Sequence, residues 1–225
     1  MKLTIFGATG GTGKQLVEQA LAAGNYVAAY VRNPSKLNIR HEHLTIVQGE
    51  LADQAMIEHA VSGADAVISV LGPRGGSKDK PITRGMQNII EAMKKHGVRR
   101  LIVSSTLSAK DPNDLPDFKA KALVNLVKLA MHAAYEEIVS VAETVRKSDL
   151  DWTIVRLTTL NNNPKSGKIR VGYLGKGEVG LRISCRFSRV YAEASTEYKI
   201  SSTSACNQQL TTIHDLEHRM RALYQ

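Results

Sequence analysis

The chain has 225 residues, enough for one α/β domain of ordinary size and too few for two full domains. Its 30 lysines and arginines outnumber its 21 aspartates and glutamates, so the formal net charge is +9 at pH 7. These charges are spread along the chain with little aromatic interleaving, which favours a basic surface with a few phosphate contacts over a nucleic-acid partner. The two cysteines, Cys185 and Cys206, show neither metal-like nor disulfide-like spacing, so no metal site is expected.

No apolar run approaches the roughly 20 residues that are needed to cross a bilayer. The N-terminus reads as a strand and lacks the charged, apolar and cleavage regions of a signal peptide. We therefore expect a cytoplasmic protein with no membrane partner.

The first thirteen residues predict a strand, a glycine turn and the start of a helix. Residues 2–6 alternate and are rich in β-formers, and a helical pattern begins at Lys14. Three glycines lie between them at a spacing of three: Gly7 allows a tight turn, Gly10 a close pyrophosphate and Gly13 close helix packing. Unpaired amides at the helix start then face the anion. The predicted dinucleotide contacts are Gly7, Thr9, Gly10, Gly11, Thr12 and Gly13.

A second strand is predicted over residues 26–31, and Arg32 follows it. In dinucleotide folds an acidic residue here binds the ribose 2′-hydroxyl, whereas an arginine accommodates a 2′-phosphate. Lys36 and Arg40 come next, and no carboxylate occurs before Glu42. Because a guanidinium matches phosphate geometry, we predict NADP rather than NAD. The alternative is that Arg32 is a solvated loop residue.

Two further strands are predicted over residues 44–47 and 65–72, with a short helix over 52–61 between them. Ligands of open α/β sheets bind outside the carboxyl ends of the strands. Glu50, Leu51, Leu71 and Gly72 are therefore predicted to lie beside the adenine and ribose. The alternative for each is an ordinary turn between a strand and a helix.

A polar, glycine-rich loop over residues 73–81 is interpreted as a connector, with substrate or phosphate contacts as the alternative. It leads into a predicted helix over 83–96 and a fifth strand over 98–103. That strand ends in Ser104, Ser105 and Thr106, where a hydroxyl could donate to a nicotinamide or a substrate carbonyl. Ser104 and Ser105 are therefore candidate catalytic residues, and Ser104 is also a candidate cofactor contact. Hydroxyls at strand ends also cap turns, which is the alternative.

The next segment predicts a surface loop over residues 107–117, interpreted as a lid, and then one long helix or two successive helices. Residues 147–150 break the helical pattern, and a sixth strand follows over residues 151–156. Trp152, in that strand, is expected to lie in the core.

These motifs, in this order, resemble the atypical short-chain dehydrogenase/reductase family, the single-domain NADP-binding group that includes flavin reductases, biliverdin-IXβ reductases and NmrA-like proteins. The resemblance spans residues 1 to 160 and is carried by residues 7–13, 31–32, 63–68, 88–98 and 148–156. It implies a Rossmann-type, doubly wound parallel sheet of strand order 3-2-1-4-5-6. It also implies bound NADPH, with the nicotinamide near Ser104, Ser105, Thr106 and the segment after Arg156.

The chain departs from the family pattern in three places. Classical and extended short-chain dehydrogenases pair a catalytic tyrosine with a lysine four residues on, but here the residue four positions after Tyr135 is Val139. Tyr135 is either a general acid or, as the missing lysine favours, a packing residue. Where the family usually has proline after the arginine that ends the sixth strand, this chain has Leu157, Thr158 and Thr159. Thr158 and Thr159 are candidate contacts of the nicotinamide or a substrate. Residues 181–209 do not match the family, and they are followed by a helical pattern from Leu210. Short strands over 183–187 and around 198–200 are expected.

The resulting interpretation is a single NAD(P)-binding Rossmann domain over residues 1–225, with a small divergent region over 181–225 on the substrate side. The leading hypothesis is an NADPH-dependent oxidoreductase that transfers hydride to a flat conjugated small molecule, namely a flavin, a linear tetrapyrrole or a quinone. The second is a non-enzymatic NADP-binding regulator that reports the cofactor redox state to a protein partner. A sugar-nucleotide epimerase is disfavoured because it needs the Tyr–Lys pair.

Overall fold

The computed structural model describes residues 1–73, 79–157, 160–161, 174 and 183–184. In chain order its elements are β1 (Lys2–Phe6), α1 (Gly11–Ala22), β2 (Tyr26–Val31), β3 (Leu44–Gln48), α2 (Gln54–Val61), β4 (Ala66–Ser69), α3 (Pro81–Lys95), β5 (Arg100–Thr106), α4 (Phe118–Ala130), α5 (His132–Arg146), β6 (Asp151–Leu157), β7 (Leu160–Asn161) and β8 (Ile183–Ser184). Among the helices of these residues, none has both the length and the apolar character required to span a membrane.

Strands β1 to β6 form one parallel sheet in the order β3-β2-β1-β4-β5-β6. The predicted Rossmann-type sheet and its strand order are therefore confirmed. The chain builds outward from β1 to β3 and then returns to place β4 on the other side of β1, so the strand order reverses between β1 and β4. In such sheets the crevice for a ligand lies outside the carboxyl ends of the strands at this reversal.

Several element bounds differ from the sequence prediction for local reasons. Helix α1 begins at Gly11 rather than at Lys14, because the Gly10 carbonyl accepts a hydrogen bond from the Lys14 amide at 2.9 Å. Strand β4 ends at Ser69, because the neighbouring β1 ends at Phe6, its register partner. The helical stretch after the fifth strand is two helices, since Met131 has non-helical dihedral angles between them.

Two apolar layers cover the sheet. Alternate residues of β1 face opposite sides: Leu3 and Ile5 pack under α1, whereas Phe6 packs on the side of α2, α3 and α5. Trp152 is half-buried and packs against the second of these layers. Burying both faces explains why the central strands are continuously apolar rather than alternating.

The loop between β3 and α2 is held by Tyr30. The ring of Tyr30 is buried against Phe6, and its hydroxyl donates to the Glu50 carbonyl at 2.7 Å. Burial raises the pKa of this hydroxyl to about 12, and the nearby Asp53 and Glu50 carboxylates add to the rise, so the group remains a donor at physiological pH. A Cβ at Gly49 would lie 2.2 Å from the same hydroxyl, so a larger residue there would displace the Tyr30 side chain. The position of Glu50 at the carboxyl edge is therefore fixed by the core.

Candidate cofactor and active site

The turn after β1 is built on two glycines. Gly7 has φ +86°, and a Cβ there would lie 2.9 Å from the Val70 carbonyl carbon and 3.1 Å from the Leu71 amide nitrogen. A Cβ at Gly13 would lie 2.2 Å from the Gly7 carbonyl oxygen. Backbone cannot yield as a flexible side chain would, so α1 begins in direct contact with the turn only because position 13 is glycine.

The start of α1 is suited to an anion. Its N-cap is Gly10, which has no side chain to accept from the first-turn amides, and the first turn carries no acidic residue. A Cβ at Gly11 would meet nothing within 4 Å, so this side of the turn is open, and Thr9 and Thr12 lie half-buried beside it. Free amides and the helix dipole together favour a negatively charged group at this point. The residues present fit the pyrophosphate of a dinucleotide.

The predicted adenosine contacts lie at the ends of the next two strands. Arg32 is exposed directly after β2, and its carbonyl accepts from the Gln48 side chain at 3.4 Å. Glu50 is exposed in the loop after β3. Leu51 is more deeply placed. Its carbonyl accepts a hydrogen bond from the Asn88 side chain at 2.8 Å. Its side chain packs against Gly85, where an added Cβ would lie 2.8 Å from the Cβ of Leu51. Leu51 therefore has a packing role of its own, and the adenosine contacts remain predictions.

A cleft of about 320 Å³ opens at the carboxyl ends of β4, β5 and β6, between α3 and α5. Four of the predicted site residues meet in it, namely Leu71, Gly72, Ser104 and Ser105. The remaining lining residues are Val70, Pro73, Ile82, Thr106, Glu137, Ile138, Val141 and Leu157. Because Gly7 packs against the backbone of Val70 and Leu71, the glycine turn and the cleft are adjacent.

The three hydroxyls at the end of β5 differ in their surroundings. Thr106 Oγ1 accepts from the Ser108 amide at 3.3 Å, so this hydroxyl caps a turn. The hydroxyls of Ser104 and Ser105 have no hydrogen-bond partner among the residues that the structure describes, and both side chains line the cleft. Two of the three hydroxyls are therefore available to a ligand.

Tyr135 lies half-buried on α5, outside the cleft lining. Although Val139 stands where a lysine would follow, the fold supplies a cation from α4: the Lys128 ammonium lies 5.5 Å from the centre of the Tyr135 ring. The ammonium lies over the ring face, an arrangement that stabilises packing. Sequence reasoning missed Lys128 because it belongs to a different helix.

Glu137 is a cleft residue that the sequence interpretation did not select. It is 3% exposed, and its Oε1 accepts from the Thr83 amide at 2.7 Å and from the Thr83 hydroxyl at 2.9 Å. This carboxylate caps α3, whose own N-cap residue, Lys80, provides no capping side chain. The sequence could have identified Glu137, because it is a glutamate on the same face of α5 as Ala134 and Val141, where an apolar residue would be expected.

Arg156 fastens the predicted lid loop to the end of β6. Its guanidinium donates to Asp114 Oδ2 at 2.5 Å and to Oδ1 at 2.6 Å, and the Leu174 amide donates to Oδ1 at 3.1 Å. Burial opposes ionisation of Asp114, but the hydrogen bonds from Arg156 and from backbone amides outweigh it, so the pKa of this carboxyl lies below its usual value. The ion pair between Arg156 and Asp114 therefore holds this loop next to Leu157, which lines the cleft.

Several predicted features lie outside the described residues, namely Thr158, Thr159, most of the loop over 73–81, the strand around 198–200 and the helix from Leu210. The strand predicted over 183–187 is described only as β8, which pairs with β7. The single domain over residues 1–225 stays a prediction. Within the described ranges, no three histidine, cysteine, aspartate or glutamate side chains lie together in a way that could hold a metal ion.

Residues 7–186 match a protein family described as NAD(P)H-binding. The chain is 30% identical, over 178 residues, to an uncharacterized chloroplastic protein of Arabidopsis thaliana, covering 75% of this chain and 62% of that protein. It is 27% identical, over 164 residues, to (4-alkanoyl-5-oxo-2,5-dihydrofuran-3-yl)methyl phosphate reductase of Streptomyces griseus, covering 73% of this chain and 50% of that enzyme. The chain thus spans less than two thirds of the length of either relative.

Among solved structures, the fold is similar to that of ChuY, an anaerobillin reductase from Escherichia coli O157:H7. The TM-score is 0.63 at 22% identity, covering 92% of this chain and 94% of that chain. At this identity the similarity establishes a common fold.

Asp114→Asn is expected to lower the free energy of unfolding by about 1–3 kcal/mol near neutral pH, because Arg156 loses its charged partner. Because the pKa of Asp114 is lower in the folded chain than its usual value of 3.8, the stabilisation is present above that value and is lost as the pH falls through the folded-state pKa. Urea denaturation followed by circular dichroism should show a difference between wild type and variant that is constant above about pH 5 and shrinks towards about pH 3.

The control is Asp111→Asn, in the same loop but bonded to Asn113 rather than to Arg156, which should cost less. A difference for Asp114→Asn that stays the same down to the lowest pH would show that the ion pair does not stabilise the fold.

Proposed function

The chain belongs to the NAD(P)H-binding family, and we propose that it is an NADPH-dependent reductase that passes hydride to a flat conjugated acceptor: a flavin, a linear tetrapyrrole or a quinone. One observation carries this proposal. Gly7 of the anion-binding turn packs against Val70 and Leu71, which line the cleft at the ends of β4 to β6. A dinucleotide whose pyrophosphate lies at the start of α1 therefore has room to extend into the cleft beside Ser104.

In this proposal different residues bind different parts of the cofactor. The amides at the start of α1 bind the pyrophosphate, Arg32 binds the 2′-phosphate, and Ser104 contacts the nicotinamide. The further contacts are those predicted from the sequence: Thr9, Glu50, Leu51, Leu71, Gly72, Thr158 and Thr159. When bound, NADPH supplies the hydride, and the protein supplies binding and orientation.

The cleft itself is suited to a flat acceptor. Its described walls are mostly aliphatic, so they can hold a conjugated ring by contact. Ser104 and Ser105 offer hydroxyl donors to the acceptor or to a water molecule that relays a solvent proton. Two comparisons support a reductase, since the relative from Streptomyces griseus and the structural neighbour from Escherichia coli are both named as reductases.

The alternative is a regulator that binds NADP without catalysis. Val139 favours this alternative, because the lysine that would activate a catalytic tyrosine is absent from that position. The two functions differ in a single measurable property, which is whether any acceptor accelerates NADPH oxidation.

Wild-type protein is expected to oxidise NADPH in the presence of at least one of FMN, menadione and biliverdin, with saturation in both substrates. The measurement is the loss of nicotinamide absorbance in steady state, alongside a fluorescence titration of NADPH binding. Saturable NADPH binding with no acceleration by any member of a broad acceptor panel would favour the regulator and contradict the reductase.

Arg32→Asp should weaken NADPH binding by about tenfold or more, because a charge-assisted contact to the 2′-phosphate is replaced by repulsion. NADH binding should change much less, since NADH lacks that phosphate. Arg99→Asp makes the same change in charge at the opposite edge of the sheet, before β5, and should leave the preference for NADPH intact. Equal losses for both cofactors in Arg32→Asp would remove this residue from the 2′-phosphate site.

Tyr135→Phe should retain reductase activity within a few-fold, because the tyrosine lies outside the cleft lining and its nearest cation contacts the ring face. The comparison is kcat and kcat/KM at several pH values for wild type and variant. A loss of ~10²-fold or more would establish the phenol as a general acid.

A further inference from the structure

Glu137 is the one charged side chain among the described residues that line the cleft. The other lining groups are aliphatic, glycine or hydroxyl. A carboxylate that is 3% exposed in such surroundings is costly unless its oxygens accept hydrogen bonds. Each carboxylate oxygen therefore needs a hydrogen-bond donor.

Only one of the two oxygens of Glu137 accepts hydrogen bonds from described residues. Oε1 accepts both hydrogen bonds from Thr83 at the start of α3. Oε2 has no donor among the described residues. The nearby ammonium of Lys80 is engaged elsewhere, since it donates to Ser140 Oγ at 2.7 Å and pairs with Glu136 Oε2 at 3.6 Å. Glu137 thus brings to the cleft lining a carboxylate oxygen that has no donor among the described residues.

We propose that Glu137 determines acceptor specificity by accepting, through Oε2, a hydrogen bond from an N–H group on the conjugated ring of the acceptor. This inference rests on the proposed reductase function and narrows its substrate class to nitrogen heterocycles that carry an N–H, as isoalloxazines and pyrroles do. A quinone presents only carbonyl lone pairs, which would face the carboxylate and leave Oε2 without a donor.

Glu137→Gln reverses the polarity of this contact with little change in shape. The two donors of Thr83 require an oxygen opposite them, so the glutamine oxygen keeps the cap on α3. The amide NH₂ group then takes the place of Oε2. The variant offers a donor where the wild type offers an acceptor, which suits a carbonyl and opposes an N–H.

The experiment compares lumiflavin with menadione, two flat uncharged acceptors of which only lumiflavin carries an N–H. The readouts are the Kd of lumiflavin without NADPH, from quenching of its fluorescence, and kcat/KM for NADPH oxidation with each acceptor. Glu137→Gln should weaken lumiflavin binding and lower its kcat/KM by about tenfold or more, while menadione changes by less than about threefold. Glu136→Gln, the same change on the neighbouring residue outside the cleft lining, should alter neither.

Equal losses for both acceptors, or no change for lumiflavin, would overturn the inference. Wild-type protein alone gives a second test, because 3-methyllumiflavin lacks the N–H and should bind about tenfold or more weakly than lumiflavin. Equal binding of the two flavins would also overturn it. If wild type binds both flavins with the expected difference but oxidises no NADPH, the reductase proposal fails while the role of Glu137 in binding stands.

Discussion

The start of helix α1 lies in backbone contact with the turn that ends β1, and the rest of the site depends on that contact. A side chain at Gly13 would overlap the Gly7 carbonyl, with its Cβ 2.2 Å away, and one at Gly7 would overlap the backbone after β4. The two glycines therefore bring three elements, β1, α1 and the end of β4, closer together than any other residues allow. This closeness aims the first-turn amides of α1 at the reversal point of the sheet and joins the turn to the cleft.

The opposite side of the cleft is held by polar contacts instead of glycines. Glu137 of α5 caps α3 through Thr83, and Arg156 of β6 holds the loop after β5 through Asp114. Both carboxylates are buried or nearly so, and both accept hydrogen bonds that offset the cost of burying charge. A crevice with one backbone-built side and one side built from side chains can keep a constant cofactor site while its acceptor specificity changes.

The sheet and the glycine turn were accessible from the sequence because their signals are local. Continuous apolar strands, glycine spacing and helical periodicity each depend on neighbouring residues, and they place β1 and β2 correctly. The strand order, which the family resemblance implied, is confirmed as well. The contacts that finish the cleft join residues far apart in the chain, such as Thr83 with Glu137, 54 positions apart, and Asp114 with Arg156, 42 apart. Periodicity assigns a residue to a face of a helix but not to a partner on another element. Lys128 reaching Tyr135 from α4 was missed for the same reason.

We propose that the glycine turn and the cleft form one crevice for NADPH, which a crystal structure of the protein with NADP⁺ tests most directly. Pyrophosphate oxygens are expected about 3 Å from the first-turn amides of α1, with the nicotinamide in the cleft beside Leu71 and Ser104. A pyrophosphate bound away from α1, or a nicotinamide outside the cleft with the pyrophosphate in place, would contradict it.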